Sequence, residues 1–267
     1  MSVAVIVVPS VTKLPPEADG AVVVGGSHAA VYAAHLVAKA GVRAAIHHDA
    51  GIGRDEAGVG GLALAQQLGM AMAAVAAASA RIADGDDLMR RGVISRANAL
   101  AAACGVVPGQ RCAEAVERLK AAPWPHRPPP PKAEGRSIFE GKAGKRKIVC
   151  IDSATLIAAE DRDQVVATGS HGSAMSGEVV LTVRPALVLY NDAGFGADRA
   201  GSTGLAVLDK AGIAGATVAA ASARIGESRS TLADGLISEV NETAYRLGAR
   251  VGGAALALAR AVAEKVP

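Results

Sequence analysis

Short β-branched runs alternate with alanine-rich amphipathic stretches along the whole chain. Val3–Val8 is a strand-length apolar run, and Ala21–Val24 is a second, ending at Gly25-Gly26-Ser27-His28. The 29–40 segment reads as a helix closed by Gly41. Val42–Ile46 then reads as a strand ending in His47-His48-Asp49. Gly51 and Gly53 turn the chain into a predicted helix over 55–68, closed by Gly69. Met70–Ala78 is an alanine-rich buried strand ending at Ser79-Ala80-Arg81, and a last helix is expected over 86–103, closed by Gly105. Runs of four to eight branched residues bounded by glycine, alternating with longer 3.6-period stretches, predict parallel strands covered by helices.

The same pattern then recurs, with strands expected at Lys147–Ile151, Gln164–Thr168, Leu187–Tyr190 and Ala214–Ala221. The recurrence is literal: residues 3–120 fall on 146–263 without a gap. Ser27-His28 returns as Ser170-His171, Asp49-Ala50-Gly51 as Asp192-Ala193-Gly194, and Gly53 as Gly196. Ser79-Ala80-Arg81-Ile82 returns as Ser222-Ala223-Arg224-Ile225. A gapless repeat of this length predicts an internally duplicated α/β protein. Two similar three-layer domains with mainly parallel sheets are expected, related by a pseudo-twofold axis. The boundaries read as 1–120 for the first repeat, 121–145 for a proline- and glycine-rich extended tether, and 146–267 for the second repeat. Four consecutive prolines at 128–131 mark the tether.

Composition narrows the class. Hydrophobic residues make up 51% of the chain but aromatics only 2%, so the cores are built from small side chains that let elements approach closely. The net charge of +3 is small and dispersed, which argues against nucleic acid as a partner. No stretch supplies the roughly 18 apolar residues of a membrane span, and the N-terminus has no charged region of a signal peptide. Cys104, Cys112 and Cys150 have no metal or redox spacing and suit a reducing compartment. The expectation is a cytoplasmic homo-oligomer with no membrane partner.

The polar residues shared by the repeats fall at three strand ends in each, where parallel sheets hold ligands. A histidine at such an end, His28 or His171, can move a proton near neutral pH. Ser27 and Ser170 can act as nucleophile or ligand contact, or simply cap the next helix. Asp49 and Asp192, at the ends of buried strands, need a partner: a histidine, an arginine or a metal. Gly51, Gly53, Gly194 and Gly196 permit positive φ and can expose N–H groups as an anion cradle, or serve as tight turns alone. Arg81 and Arg224 can clamp a carboxylate with two bonds, or pair internally with Asp49 or Asp192. Ser79, Ser222 and Asn191 complete the expected binding set. Ser95, Asn98, Ser238 and Asn241, one turn apart on a helix, could face the cleft, form a polar stripe or make an inter-helix contact, with the stripe or contact leading. His28, His47, His48 and Asp49 could ligate a divalent metal, but copy 2 lacks the extra histidines, so neither metal nor cofactor is expected.

The layout resembles, in architecture alone, the duplicated enzymes of the aspartate/glutamate racemase group. That group uses a cysteine in each half, and no cysteine here sits at a matching strand end, so no family follows. The expected function is an enzyme on a small anionic, carboxylate-bearing metabolite. Hydrolysis of an amide, imide or lactone comes first. In that reading His171 is acid/base, Asp192 orients it, Ser170 binds or attacks, and Arg224 clamps the anion, with His28, Asp49, Ser27 and Arg81 as counterparts. Proton-transfer isomerisation or elimination is the second reading, and a non-catalytic metabolite-binding protein the third.

Overall fold

The computed structural model describes residues 3–125, 127–141 and 144–265. The chain divides into two compact units. Unit 1 is 1–52 and 56–132 together with Gly196–Asp198; unit 2 is 133–195 and 199–267 together with Gly53–Asp55. Both are α/β units built on a mostly parallel sheet.

Unit 1 runs β1 (Val5–Val8), β2 (Val22–His28), α1 (Val31–Lys39), β3 (Ala44–His48), α2 (Gly61–Gln67), β4 (Ala71–Val75), α3 (Gly85–Arg91), β5 (Ile94–Ala97), α4 (Ala99–Ala103) and α5 (Cys112–Leu119). The sheet order is β1-β2-β3-β4-β5, parallel except for the antiparallel β4–β5 pair. Alternation along the strands sorts the core into two layers. Val23, Ala45, Met72 and Ala74 pack with Ala33, Val37 and Ala65 of α1 and α2. Val22, Val24, Ile46, Ala73 and Val75 pack with Leu88, Ala101, Val116 and Leu119 of α3, α4 and α5 on the other face. Alanine at so many facing positions brings helix and sheet close, as the composition implies.

Unit 2 repeats the plan with β6 (Arg136–Glu140), β7 (Ile148–Ile151), β8 (Val165–His171), α6 (Ala174–Val180), β9 (Leu187–Asn191), α7 (Gly204–Lys210), β10 (Ala214–Val218), α8 (Ser228–Ala233), β11 (Ile237–Val240), α9 (Glu242–Arg246) and α10 (Ala255–Glu264). Its sheet order is β11-β10-β9-β8-β7-β6. Among the described residues, no helix is long and apolar enough to cross a membrane.

Three expectations change. The helix expected over 55–68 begins only at Gly61, because Asp55 and Glu56 have positive φ (52° and 55°) and Arg54–Val59 forms 3₁₀ turns instead. The helix foreseen over 86–103 is α3, β5 and α4. Gly92 ends α3, where a side chain would strike the Leu88 carbonyl and Val75, and Val93-Ile94 then favour a strand. Ser95 therefore lies on β5 and Asn98 caps α4, so the helical polar stripe does not exist. The same holds for Ser238 on β11 and Asn241 at the cap of α9. Asn98 and Asn241 instead tie strand to helix. Asn98 Oδ1 accepts from Met72 N (3.1 Å) and Ala101 N (2.9 Å), and Asn241 Oδ1 from Gly215 N (3.0 Å) and Ala244 N (2.8 Å). Within 121–145, Arg136–Glu140 is not tether but a strand paired antiparallel with β7. Its Ser137, Phe139 and Arg136, Ile138 alternate in strand fashion. His126, Lys142 and Ala143 of that segment lie outside the described residues.

Candidate functional site

In unit 1 the chain leaves β3 toward α2 on one face of the sheet and leaves β4 toward α3 on the other. Divergent exits from neighbouring parallel strands open a crevice at their carboxyl ends, the usual ligand position in open α/β sheets. Here Asp49 ties the two diverging loops together. Its Oδ1 accepts from Gly51 N (2.9 Å) in its own loop and from Ala77 N (2.9 Å) beyond β4. Asp192 does the same in unit 2, from Gly194 N and Ala220 N, both at 2.9 Å. The partner that a buried carboxylate requires is thus a pair of backbone amides. Burial raises the Asp192 pKa above the usual carboxylate range, against the pull of the Ala220 amide, the Ser238 hydroxyl, the Gly194 amide and the Arg199 charge.

The loop after each Asp has an unusual backbone. Ala50, Gly51, Ile52 and Gly53 all have positive φ (52°, 70°, 63° and 71°), as do Ala193, Gly194, Phe195 and Gly196 (51°, 68°, 61° and 68°). Each non-glycine residue held there costs about 1–2 kcal/mol. The amides that would line an anion cradle serve the turn itself. Ala50 N donates to His48 Nδ1, Gly51 N to Asp49 Oδ1 and Ile52 N to the Asp49 carbonyl. The second repeat matches, with Ala193 N to Asn191 Oδ1 and Phe195 N to the Asp192 carbonyl.

The serines are ties between loops. Ser27 Oγ accepts from Val11 N (3.1 Å), and Ser170 Oγ from Ala154 N (2.9 Å). Ser79 Oγ donates to the Ala76 carbonyl (2.7 Å) and accepts from Val93 N (3.0 Å). Ser222 matches it with the Ala219 carbonyl (2.8 Å) and Leu236 N (2.9 Å). The arginine forks hold carboxylates, but not Asp49 or Asp192. Arg81 Nη2 meets Asp198 at 2.8 Å within unit 1, and Arg224 Nε meets Asp55 at 2.9 Å within unit 2.

Histidines set unit 1 apart. His28 and His48 are register partners across β2 and β3, as His171 and Asn191 are across β8 and β9. His28 and His171 are half-buried at the strand ends, and His171 Nδ1 lies 3.4 Å from Ser176 Oγ. Desolvation of the His28 ring, reinforced by His48, lowers its pKa to about 4. His47 is fully buried, and among the described residues neither ring nitrogen makes a hydrogen bond of good geometry. Desolvation and the neighbouring His28 charge push its pKa down to about 3, which the nearby His28 backbone only partly offsets. Among the described residues, no group of three or more His, Cys, Asp or Glu side chains is placed to hold a metal ion.

Two features of these sites are not apparent from sequence. Asp87 is buried, accepts from Arg81 N (2.8 Å) and pairs with Arg90 and Arg91. Burial works to raise its pKa, yet the hydrogen bonds from the Arg81 amide, Arg91 and Arg90 leave it lowered. Ser230 stands at the matching place and accepts from Arg224 N (3.0 Å). The Asp87-x-x-Arg90-Arg91 spacing is the one local signal, that of a helical ion pair. Tyr190 fills the place of His47 and donates its hydroxyl to the Ser176 carbonyl (3.1 Å).

The chain matches no protein-family model, and no curated protein or solved structure shows significant similarity to it.

Proposed function

We propose that the protein is an enzyme acting on a small carboxylate-bearing metabolite, and that its chemistry is proton transfer by His171 and His28. The observation that favours this reading is a division of labour repeated in both units. The serines, the aspartates and the His48–Asn191 pair of equivalent positions are consumed in holding the loops, while one half-buried histidine stands at the end of β2 and of β8. An imidazole beside a rigid, hydrogen-bonded turn suits a general base, and His171 takes the primary role because burial lowers the His28 pKa to about 4 and makes that ring a weak base. Serine attack is the weaker route, since Ser27 and Ser170 Oγ are already engaged as acceptors of backbone amides. A carboxylate substrate would exchange with Asp55 at Arg224 or with Asp198 at Arg81, each now held through one guanidinium nitrogen, and would gain the two bonds that a guanidinium fork can donate. The free Cys104, Cys112 and Cys150 suit a cytoplasmic setting.

A screen of substrate classes tests the reading. Small carboxylates, with their amides, imides and lactones, are incubated with the protein in deuterated water and followed by proton NMR. Proton transfer exchanges a carbon-bound hydrogen for deuterium, and hydrolysis releases a new carboxylate. The expected result is exchange on at least one carboxylate, lowered about 10²–10⁴-fold in His28→Asn/His171→Asn and kept in Ser170→Ala. Hydrolysis lost in Ser170→Ala would restore the serine route. Binding with no turnover, surviving both histidine substitutions, would make it a metabolite-binding protein.

A further inference from the structure

The edges of the two sheets are treated differently. In unit 2, β7 is covered by β6, with Arg136 opposite Ile151, Ser137 opposite Cys150, Ile138 opposite Val149 and Glu140 opposite Ile148. The new edge, β6, carries Arg136 and Glu140 and a register break. At the far edges the outer sides of β5 and β11 are occupied. Ile94 exchanges backbone bonds with Gln110 and Gly109, and Ile237 with Gly253 and Gly252. Those strands also carry Arg96 and Glu239. Charge, bulges and covering loops are the means by which sheets avoid edge-to-edge pairing.

Among the described residues, β1 has none of these. Val5-Ile6-Val7-Val8 carries no charge and no proline, and its register against β2 is unbroken. It ends its sheet, and no strand pairs with its outer side among the described residues. Val22 N donates to the Ala4 carbonyl (2.9 Å), so by parallel alternation Ala4, Ile6 and Val8 bond to β2. Val5 and Val7 therefore turn their N–H and C=O groups outward. Their counterparts in unit 2, Ile148 and Cys150, are the positions that β6 covers. There the whole strand is buried, at 1%, 3%, 1% and 0% exposure for Ile148 to Ile151, whereas all of Val5–Val8 is only half-buried.

We infer that β1 is a dimerisation edge, at which the β1 strands of two copies of this chain pair antiparallel about a twofold axis. The strand is self-complementary. Antiparallel pairing sets branched aliphatic side chains against each other on both faces, the cross-strand contact sheets favour. The pairing is also closed: an isologous contact uses the β1 edge of both chains, so assembly stops at two. This inference is independent of the enzymatic reading.

Sedimentation equilibrium of the full chain should show a concentration-dependent monomer–dimer equilibrium. Val7→Pro removes an outward N–H that β2 does not use, at an edge position where proline is tolerated. It should raise the dimer dissociation constant about tenfold or more, with far-UV circular dichroism unchanged. A second readout does not depend on the variant folding. In the wild-type chain, amide exchange at Val5 and Val7 should slow as concentration rises, while Ile6 and Val8 stay protected throughout. A chain monomeric at every concentration would overturn the inference. So would a dimer indifferent to Val7→Pro, or Val5 and Val7 amides protected only by an added foreign strand peptide.

Discussion

His48 and Asn191 occupy equivalent positions in the two repeats and make the same two hydrogen bonds. His48 Nδ1 accepts from Ala50 N (3.0 Å) and its Nε2 meets the Ala80 carbonyl at 3.1 Å. Asn191 Oδ1 accepts from Ala193 N (2.9 Å) and its Nδ2 donates to the Ala223 carbonyl at 3.0 Å. A carboxamide cannot titrate, so the shared task needs one acceptor and one donor without charge. The amide of Ala50 must donate, which makes Nδ1 the acceptor and leaves the proton on Nε2. Burial holds the His48 pKa low, against the opposing Asp49 charge and the Ala80 carbonyl. His48 is a neutral strut between the β3 and β4 loops.

His48→Asn should therefore cost under about 1 kcal/mol, since both bonds can be remade. His48→Ala strands a buried donor and acceptor and should cost about 2–4 kcal/mol. Urea unfolding followed by the fluorescence of Trp124 reports unit 1, because Trp124 packs against Gly20 and donates to the Gly41 carbonyl. Equal losses in the two variants would remove the strut role.

His47 sets the acid limit of unit 1. Its folded pKa, about 3, lies below the ordinary value of about 6.5, so the unfolded chain binds more protons between them. Stability is then full above pH about 6.5 and falls as pH drops toward 3, by up to about 1.4 kcal/mol per unit for one such group. His28 acts in the same direction down to about 4. His47→Leu removes a buried imidazole that burial penalises when charged and should flatten this loss while stabilising the unit at pH 5. The Trp124 unfolding midpoint measured at pH 8, 6 and 5 decides it: parallel curves for wild type and variant would exclude His47 as the source.

Asp192 behaves oppositely. Its raised folded pKa means the folded chain holds the proton longer, so this group weakens unit 2 as pH rises from the unfolded carboxylate value through the folded one. Asp192→Asn keeps an Oδ1 acceptor for Gly194 N and Ala220 N and removes the buried charge. It should cost little or stabilise at neutral pH, whereas Asp192→Ala should cost about 2–4 kcal/mol by leaving two amides unmet. Hydrogen exchange of the 187–196 segment reads both variants. A loss in Asp192→Asn as large as in Asp192→Ala would show that the charge itself is required.

The repeat makes much of this legible in the chain. The apolar runs Val22–Val24 and Ala44–Ile46, glycine stops at Gly41 and Gly69, and the gapless offset define strands, helices and two similar α/β units. Ser79 and Asp49 stand out as a set because both copies keep them. What the pattern does not carry is direction. Asp49 Oδ1 reaches Ala77 N, 28 residues away, through a strand pairing that no local rule encodes. Arg81 and Arg224 meet Asp198 and Asp55 across still longer stretches of chain, with no strand pairing between them among the described residues to signal the contact. β5 is hidden because alanine and leucine flank it, and Ile94-Ser95-Arg96-Ala97 is too short for its alternation to outweigh them. Asn98 reads as helical polarity because an N-cap and a helix-surface residue look alike in sequence.

The left-handed turn inverts the usual glycine–alanine rule. Ala50 sits at φ 52°, where glycine has no steric penalty, so Ala50→Gly should relieve about 1–2 kcal/mol of backbone strain. That gain offsets the lost methyl and the added chain entropy, leaving a net change within about 1 kcal/mol. Gly58 is the opposite case. A Cβ there would fall well inside contact distance of the Asp49 carbonyl oxygen and also strike the Ile52 carbonyl. Asp49 cannot retreat, because its carbonyl accepts from Ile52 N (2.8 Å) and its carboxylate is held by Gly51 and Ala77. Gly58 N is also fixed, donating to the Ile52 carbonyl (2.9 Å). Gly58→Ala should therefore cost more than about 3 kcal/mol, as overpacking against fixed backbone does. Gly201→Ala should repeat it in unit 2, where the added carbon meets the Asp192 and Phe195 carbonyls. Chemical denaturation read by Trp124 for the first repeat, and by exchange of 187–196 for the second, gives the comparison. A Gly58→Ala protein as stable as Ala50→Gly would show that the turn is pliable, and the strain held in it would cease to mark these loops for function.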